Sequence, residues 1–155
     1  MATVNNNMTA PQFEAEMRRW MFRNVPAIGR AVHSKVTEAV YEGVVMRTPV
    51  LTGRARGNWY PTTSAPSERV GEHVFGGSVT GEPVTGEEKS RIKAVTDKLE
   101  ALPLGETTAF VTNNLDYIQR LEDGHSPKAP PNAMVQGTII NTLDGLKIDL
   151  VPKGV

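Results

Sequence analysis

Few side chains in this 155-residue chain have the types and spacing that reaction chemistry needs. His33, His73 and His125 lie far apart, and none stands in a metal-ligand spacing such as H-E-x-x-H. The acids of Glu87-Glu88 and Glu122-Asp123 are adjacent, so on a helix they diverge; each pair reads as a solvated helix face or end rather than an acid/base pair. Gly76, Gly77, Gly81 and Gly86 cluster without the Gly-Lys-Ser/Thr that a phosphate loop requires. The absence of cysteine removes thiolate nucleophiles, disulfides and the common structural zinc sites. No catalytic, metal-binding or cofactor-binding residue is assigned, and a protein that is not an enzyme is expected.

Arg54 and Arg56 carry more promise. Gly53 closes a turn, Leu51-Thr52-Gly53, in which a glycine can take positive φ. The run from Arg54 to Tyr60 then reads as a strand that puts both arginines on one face. Two guanidiniums so placed can grip carboxylates or phosphates bidentately. The favoured partner is one of the downstream acids, within the subunit or across an interface. A nucleic-acid-binding module is a weaker alternative. A hydrolase built on His125 with Glu122 and Asp123 is weaker still. Trp20 and Trp59 read as core or interface anchors, since no basic and aromatic residues interleave around either.

Apolar periodicity supplies the elements that must position these residues. Residues 1–10 are expected to be a mobile arm. Phe13, Met17, Trp20 and Met21 mark a helix that Asn24-Val25-Pro26 should interrupt or kink. Ile28, Val32, Val36, Ala39, Val40 and Val44 mark a second, longer one, stopped by Thr48-Pro49. Residues 61–88 are rich in Gly, Pro, Ser and Thr and read as a long loop, the kind that is functional or ordered by a partner. A third helix is expected over 86–102, a strand over 107–112, and a short helix over 115–123, capped by Asn113 or Asn114 and ended by Gly124. A last helix should begin at Pro131, and 146–155 should form a strand or tail.

Length and composition fit one domain spanning 1–155. No apolar run approaches the ~20 residues that cross a bilayer, and the N-terminus lacks a basic, apolar leader, so use in the compartment of synthesis is expected. The net charge of zero hides an asymmetry. Residues 1–57 hold eight Lys/Arg against four acids and residues 58–155 nine against thirteen, a bias of +4 and −4 that can direct head-to-tail contacts between copies.

Two blocks are more specific than any of these patterns. RTPVLTGRARGNW at 47–59 and VTNNLDYIQRLEDGHSPKAPP at 111–131 match, in order and spacing, T-P-V-x-T-G-R-x-R-x-x-W and T-N-x-x-x-Y-x-x-x-L-E-x-G-x-S. Over residues 28–145 the chain resembles the tail-completion or neck proteins of long-tailed bacteriophages, small virion components of the head–tail junction. Gly53, Arg54, Arg56, Trp59, Asn113, Tyr117, Leu121, Glu122 and Gly124 are the positions that carry the resemblance into a structural or interface role, with Glu122 as the candidate acid to which Arg54 and Arg56 lock the turn and strand, within the subunit or across an interface. Leu51, where an acid is frequent, Asp116, where proline is common, and Ile118, where a small residue usually stands, depart from the pattern and touch local packing.

The resemblance implies an α+β fold, a long N-terminal helix on a small, mainly antiparallel sheet with short additional helices and a long loop. It also implies assembly with itself into a ring of about six copies, contact with the head connector and other tail proteins, and DNA passing through the channel without sequence-specific binding. Virion tail or neck would be its location, after assembly in the host cytoplasm. A terminator that stops tail-tube polymerisation is the alternative within the same family of functions.

Overall fold

The computed structural model describes residues 8–72, 80–84, 86–127, 130, 131 and 133–146. The elements are α1 (Ala10–Arg47), α2 (Arg54–Gly57), β1 (Tyr60–Thr63), α3 (Gly86–Ala101), β2 (Ala109–Thr112), α4 (Ile118–Glu122) and α5 (Val135–Gly145). This is an α+β fold in which α1 packs on a two-stranded antiparallel sheet. Tyr60 opposes Thr112 and Thr63 opposes Ala109.

The first correction concerns α1, a single helix of 38 residues with Pro26 inside it. Such a helix is about 57 Å long at 1.5 Å per residue. An internal proline costs about 3 kcal/mol, because it removes one ladder bond and crowds the preceding turn. Here the affected turn lies where side chains are largely exposed, so water can satisfy the freed carbonyl, and long helical runs flank it on both sides. Asn24 Nδ2 adds a hydrogen bond to the Trp20 carbonyl at 2.8 Å. Thr9 and Gln12 close the N-terminus as a capping box, and Thr48 ends the helix as expected, donating its N–H to the carbonyls of Val44 and Val45.

The second correction concerns residues 54–60. They turn helical as α2 after Gly53, whose φ is 81°, and only Tyr60 onward is strand. The arginines therefore leave a helical turn, in different directions, rather than one strand face.

Of the expected loop at 61–88, residues 73–79 and 85 lie outside the described residues. Its first residues lie in β1 and its last in α3. Between them, Asn58 and Asn114 hold residues 67–71 through side-chain hydrogen bonds to backbone. Gly81 N–H donates to the Met46 carbonyl at 2.8 Å. The third helix and second strand form close to where periodicity placed them. The short helix begins later, at Ile118, and the final one begins at Val135 rather than Pro131. Residues 1–7 of the expected arm and 147–155 of the expected tail lie outside the described residues.

The core is built from Tyr41, Val44, Val45, Trp59, Val84 and Ile92, with Val111 and Ile118 packed against it. α3 covers the C-terminal half of α1, and α5 crosses close to α1 at Gly43, where a Cβ would collide with Thr138. Leu104, beyond the end of α3, packs on Gly29. Before Gly29 most of α1 runs out into solvent: residues 8–23 are all exposed.

Candidate functional site

The two sequence blocks meet. Asn113, at the end of β2, donates from Nδ2 to the Ala55 carbonyl in α2 at 2.8 Å, while its Oδ1 accepts from Leu115 N–H at 3.2 Å. One amide thus ties α2 to the turn that leads into α4. Gly53, Arg54, Tyr117 and Leu121 border a common cleft of about 320 Å³, with His125 and Ser126 opposite. Gly124, φ 85°, follows α4 in the C′ position, and a Cβ there would strike Pro131. The positive φ and this close approach both require glycine.

Arg56 and Arg54 part company. Arg56 turns inward and meets Glu88 of α3, the two side chains being 2% and 3% exposed. Its Nε and Nη2 reach the two carboxylate oxygens at 2.9 and 3.0 Å, and Nη1 and Nη2 donate to the carbonyls of Glu82 and Pro83. A buried charge pair is tolerable only when it is satisfied in this way. The acid is therefore Glu88 and not Glu122, and Glu88 is not a solvated helix end. Arg54, half-buried beside the cleft, makes no side-chain hydrogen bond or ion pair among the described residues, and its Nε is buried without a partner.

Glu122 has a different task. Its Oε2 accepts the N–H groups of Met134 and Val135, and its Oε1 that of Gln136, all at 3.1 Å. It is a cap supplied from α4 to the N-terminus of α5, where unpaired donors and the positive end of the helix dipole favour a carboxylate. Trp59 is core, 5% exposed, and its indole N–H donates to Thr48 Oγ1 at 2.7 Å. That bond links the end of α1 to the start of β1.

Two further polar residues are buried here: Asn58, which no sequence pattern singles out, and Glu88, expected at a solvated helix face or end. Asn58 is fully buried and bonds the Arg54 carbonyl and both the N–H and C=O of Gly71. Glu88 was recoverable, because it shares the helical stripe of Ile92, Val95 and Leu99 at spacings of four, seven and eleven. An acid on an apolar stripe calls for a buried cation. Asn58 offers no comparable periodic signal, since its partner is loop backbone.

The residues of the hydrolase alternative take separate partners. His125 is exposed, with Nδ1 3.2 Å from the Arg120 carbonyl; Asp123 accepts from Gln119; Glu122 caps α5. Among the described residues no group of His, Asp and Glu could hold a metal ion, and no helix is long and apolar enough to cross a membrane.

A second region carries apolar surface instead of polar clamps. α5 presents Val135, Ile139, Ile140 and Leu143 to solvent. With Trp59, Ile118 and Met134 several of these line an open cleft of about 510 Å³. On the projecting part of α1, Phe13, Met17, Trp20 and Met21 are each 44–58% exposed. Compared with protein-family models, curated proteins and solved structures, the chain finds no significant match in any of the three.

Proposed function

We propose that this protein is a structural component of a tailed-bacteriophage virion, a tail-completion or neck protein that forms a ring at the head–tail junction and permits joining. The observation that carries the reading is the convergence of the two motif blocks into one unit through Asn113 and the shared cleft at Gly53, Arg54, Tyr117 and Leu121. Residues of two separate sequence blocks that pack together in space act as a scaffold. The polar ones here bind backbone or bury an ion pair, which is structural work rather than turnover. The chain also exposes two apolar surfaces, the standard mark of a protein that completes itself against neighbours.

In this reading the protein is not an enzyme. Its partners are its own copies, the head connector and tail proteins, while DNA passes through the channel without sequence-specific contact. Arg56, already neutralised by Glu88, is withdrawn from phosphate binding; Arg54 is the arginine left to reach a neighbour.

Electron microscopy of particles made without this protein tests the reading. Full heads and finished tails lying apart are expected. Normally joined, infectious particles would contradict it, and overlong tails would assign termination instead.

A further inference from the structure

The two exposed apolar surfaces cannot satisfy each other within one chain. Trp20 and Gly43, where α5 crosses, lie on one unbroken helix and so are separated by about 35 Å. Nor does the stripe on the projecting arm point at the core of its own protomer. At 100° per residue, Phe13, Met17, Trp20 and Met21 lie about a third of a turn round α1 from the buried Tyr41, Val44 and Val45.

We infer that the projecting arm of α1 docks into the α4–α5 cleft of a second copy of this chain, arm into groove, so that each protomer gives one contact and receives another. The inference rests on the ring reading for its symmetry. Three observations select this occupant.

The first is pitch. Phe13, Met17 and Met21 form a ridge at i, i+4, i+8, and Val135, Ile139 and Leu143 form a ridge at the same spacing and of the same length, about 12 Å. Two such ridges interdigitate when the helices cross near −50°. The second is fit. Trp20, flanking the arm's ridge, is a bulky apolar group with an open apolar cleft of about 510 Å³ beside the other ridge to enter. The third is charge. The described arm, 8–27, carries Arg18, Arg19 and Arg23 against Glu14 and Glu16, whereas residues 113–146 carry four acids against Arg120 and Lys128. Opposite bias favours unlike surfaces meeting and disfavours arm against arm. Passed on from copy to copy, a heterologous contact of this kind closes into a ring or propagates as a fibre; exchanged reciprocally between two copies, it closes as a dimer.

Because the chain has no native cysteine, disulfide trapping reads the contact directly. Full-length Met17→Cys and Ile139→Cys proteins of different mass tags are mixed under mild oxidation. The mixed product is expected to exceed, by about tenfold, that formed by Arg19→Cys with Ile139→Cys, since only close, well-directed Cβ pairs are bridged and Arg19 lies on the far side of the arm. Trp20→Cys with Ile140→Cys is a second pair, and circular dichroism confirms that each variant is folded.

A dominant Met17→Cys homodimer overturns the inference in favour of arm-to-arm pairing. Absence of the mixed product from both pairs, while the unsubstituted protein sediments as an oligomer, overturns arm-into-groove docking and leaves the ring reading intact. An unsubstituted protein that stays monomeric overturns the ring reading and this inference together, and its flotation with anionic vesicles would assign the arm to a lipid surface.

Discussion

The body around Trp59 and the projecting half of α1 obey opposite rules. In the body, buried polar groups are met by specific partners, with the Tyr41 hydroxyl, Arg54 Nε and Thr138 Oγ1 as exceptions among the described residues: Arg56 by Glu88 and two carbonyls, Asn58 by Arg54 and Gly71, Trp59 by Thr48, the α5 N-terminus by Glu122. In the arm, large apolar groups are exposed and unmet: Phe22 is 83% and Phe13 58% exposed. The body closes its core within one chain and leaves only the α5 face open, whereas the arm is a surface without a counterpart in its own chain. Stability and assembly are therefore written into different residues, and substitutions should separate the two.

The largest effect on stability belongs to the body. Arg56→Ala removes the guanidinium and its two hydrogen bonds from the Glu88 carboxylate at a site 3% exposed, and it is expected to cost about 3–5 kcal/mol in urea unfolding. A loss below about 1 kcal/mol would mean that the pair is hydrated and the body less self-sufficient than described. Next comes Glu122→Ala, which releases three backbone donors at the start of α5. About 1–2 kcal/mol is expected, with helix signal lost first from α5.

Tyr41 gives a smaller effect with a definite sign. Its hydroxyl is fully buried without a hydrogen-bond partner, and burial raises its pKa well above the ordinary 10.0, with Glu88 and Glu87 adding to the rise and Arg91 opposing it. The unfolded chain ionises first, so Tyr41 contributes stability that is intact below pH 10 and falls as pH rises beyond it. Tyr41→Phe should abolish that alkaline loss. At neutral pH it should be neutral or stabilising by up to about 1 kcal/mol, because an unpaired buried hydroxyl is removed. A clear destabilisation at neutral pH would reveal a partner for the hydroxyl.

How much of this was legible in the sequence follows the same division. Helices α3 and the C-terminal part of α1 were readable because apolar residues repeat at helical spacing, and Gly53 and Gly124 because a positive φ leaves few alternatives. Residues 54–59 were misread as strand. A four-residue helix buried on several sides has no face to alternate, and tertiary bonds from Asn113 and Arg91 to its backbone decide its form. The break at Pro26 was overestimated because proline's cost is local while helix propagation is cooperative. Among candidate site residues, the Arg56 anchor was legible in type but not in partner. Pairing across 32 positions depends on how α3 folds back over α2, which local patterns do not encode. Glu122 was legible as important and misassigned in role, for its acceptors face backbone donors that carry no side-chain signature.

The smallest effect on folding should accompany the largest effect on assembly. In Met17→Glu/Met21→Glu, two exposed arm residues are replaced by another good helix former. Sedimentation and urea unfolding of this full-length variant beside the unsubstituted protein put the division of labour to its most direct test. The account predicts an unfolding free energy within about 0.5 kcal/mol of the original, together with loss of the oligomer to monomer. An oligomer that survives unchanged, or a body that unfolds with the arm, would contradict it.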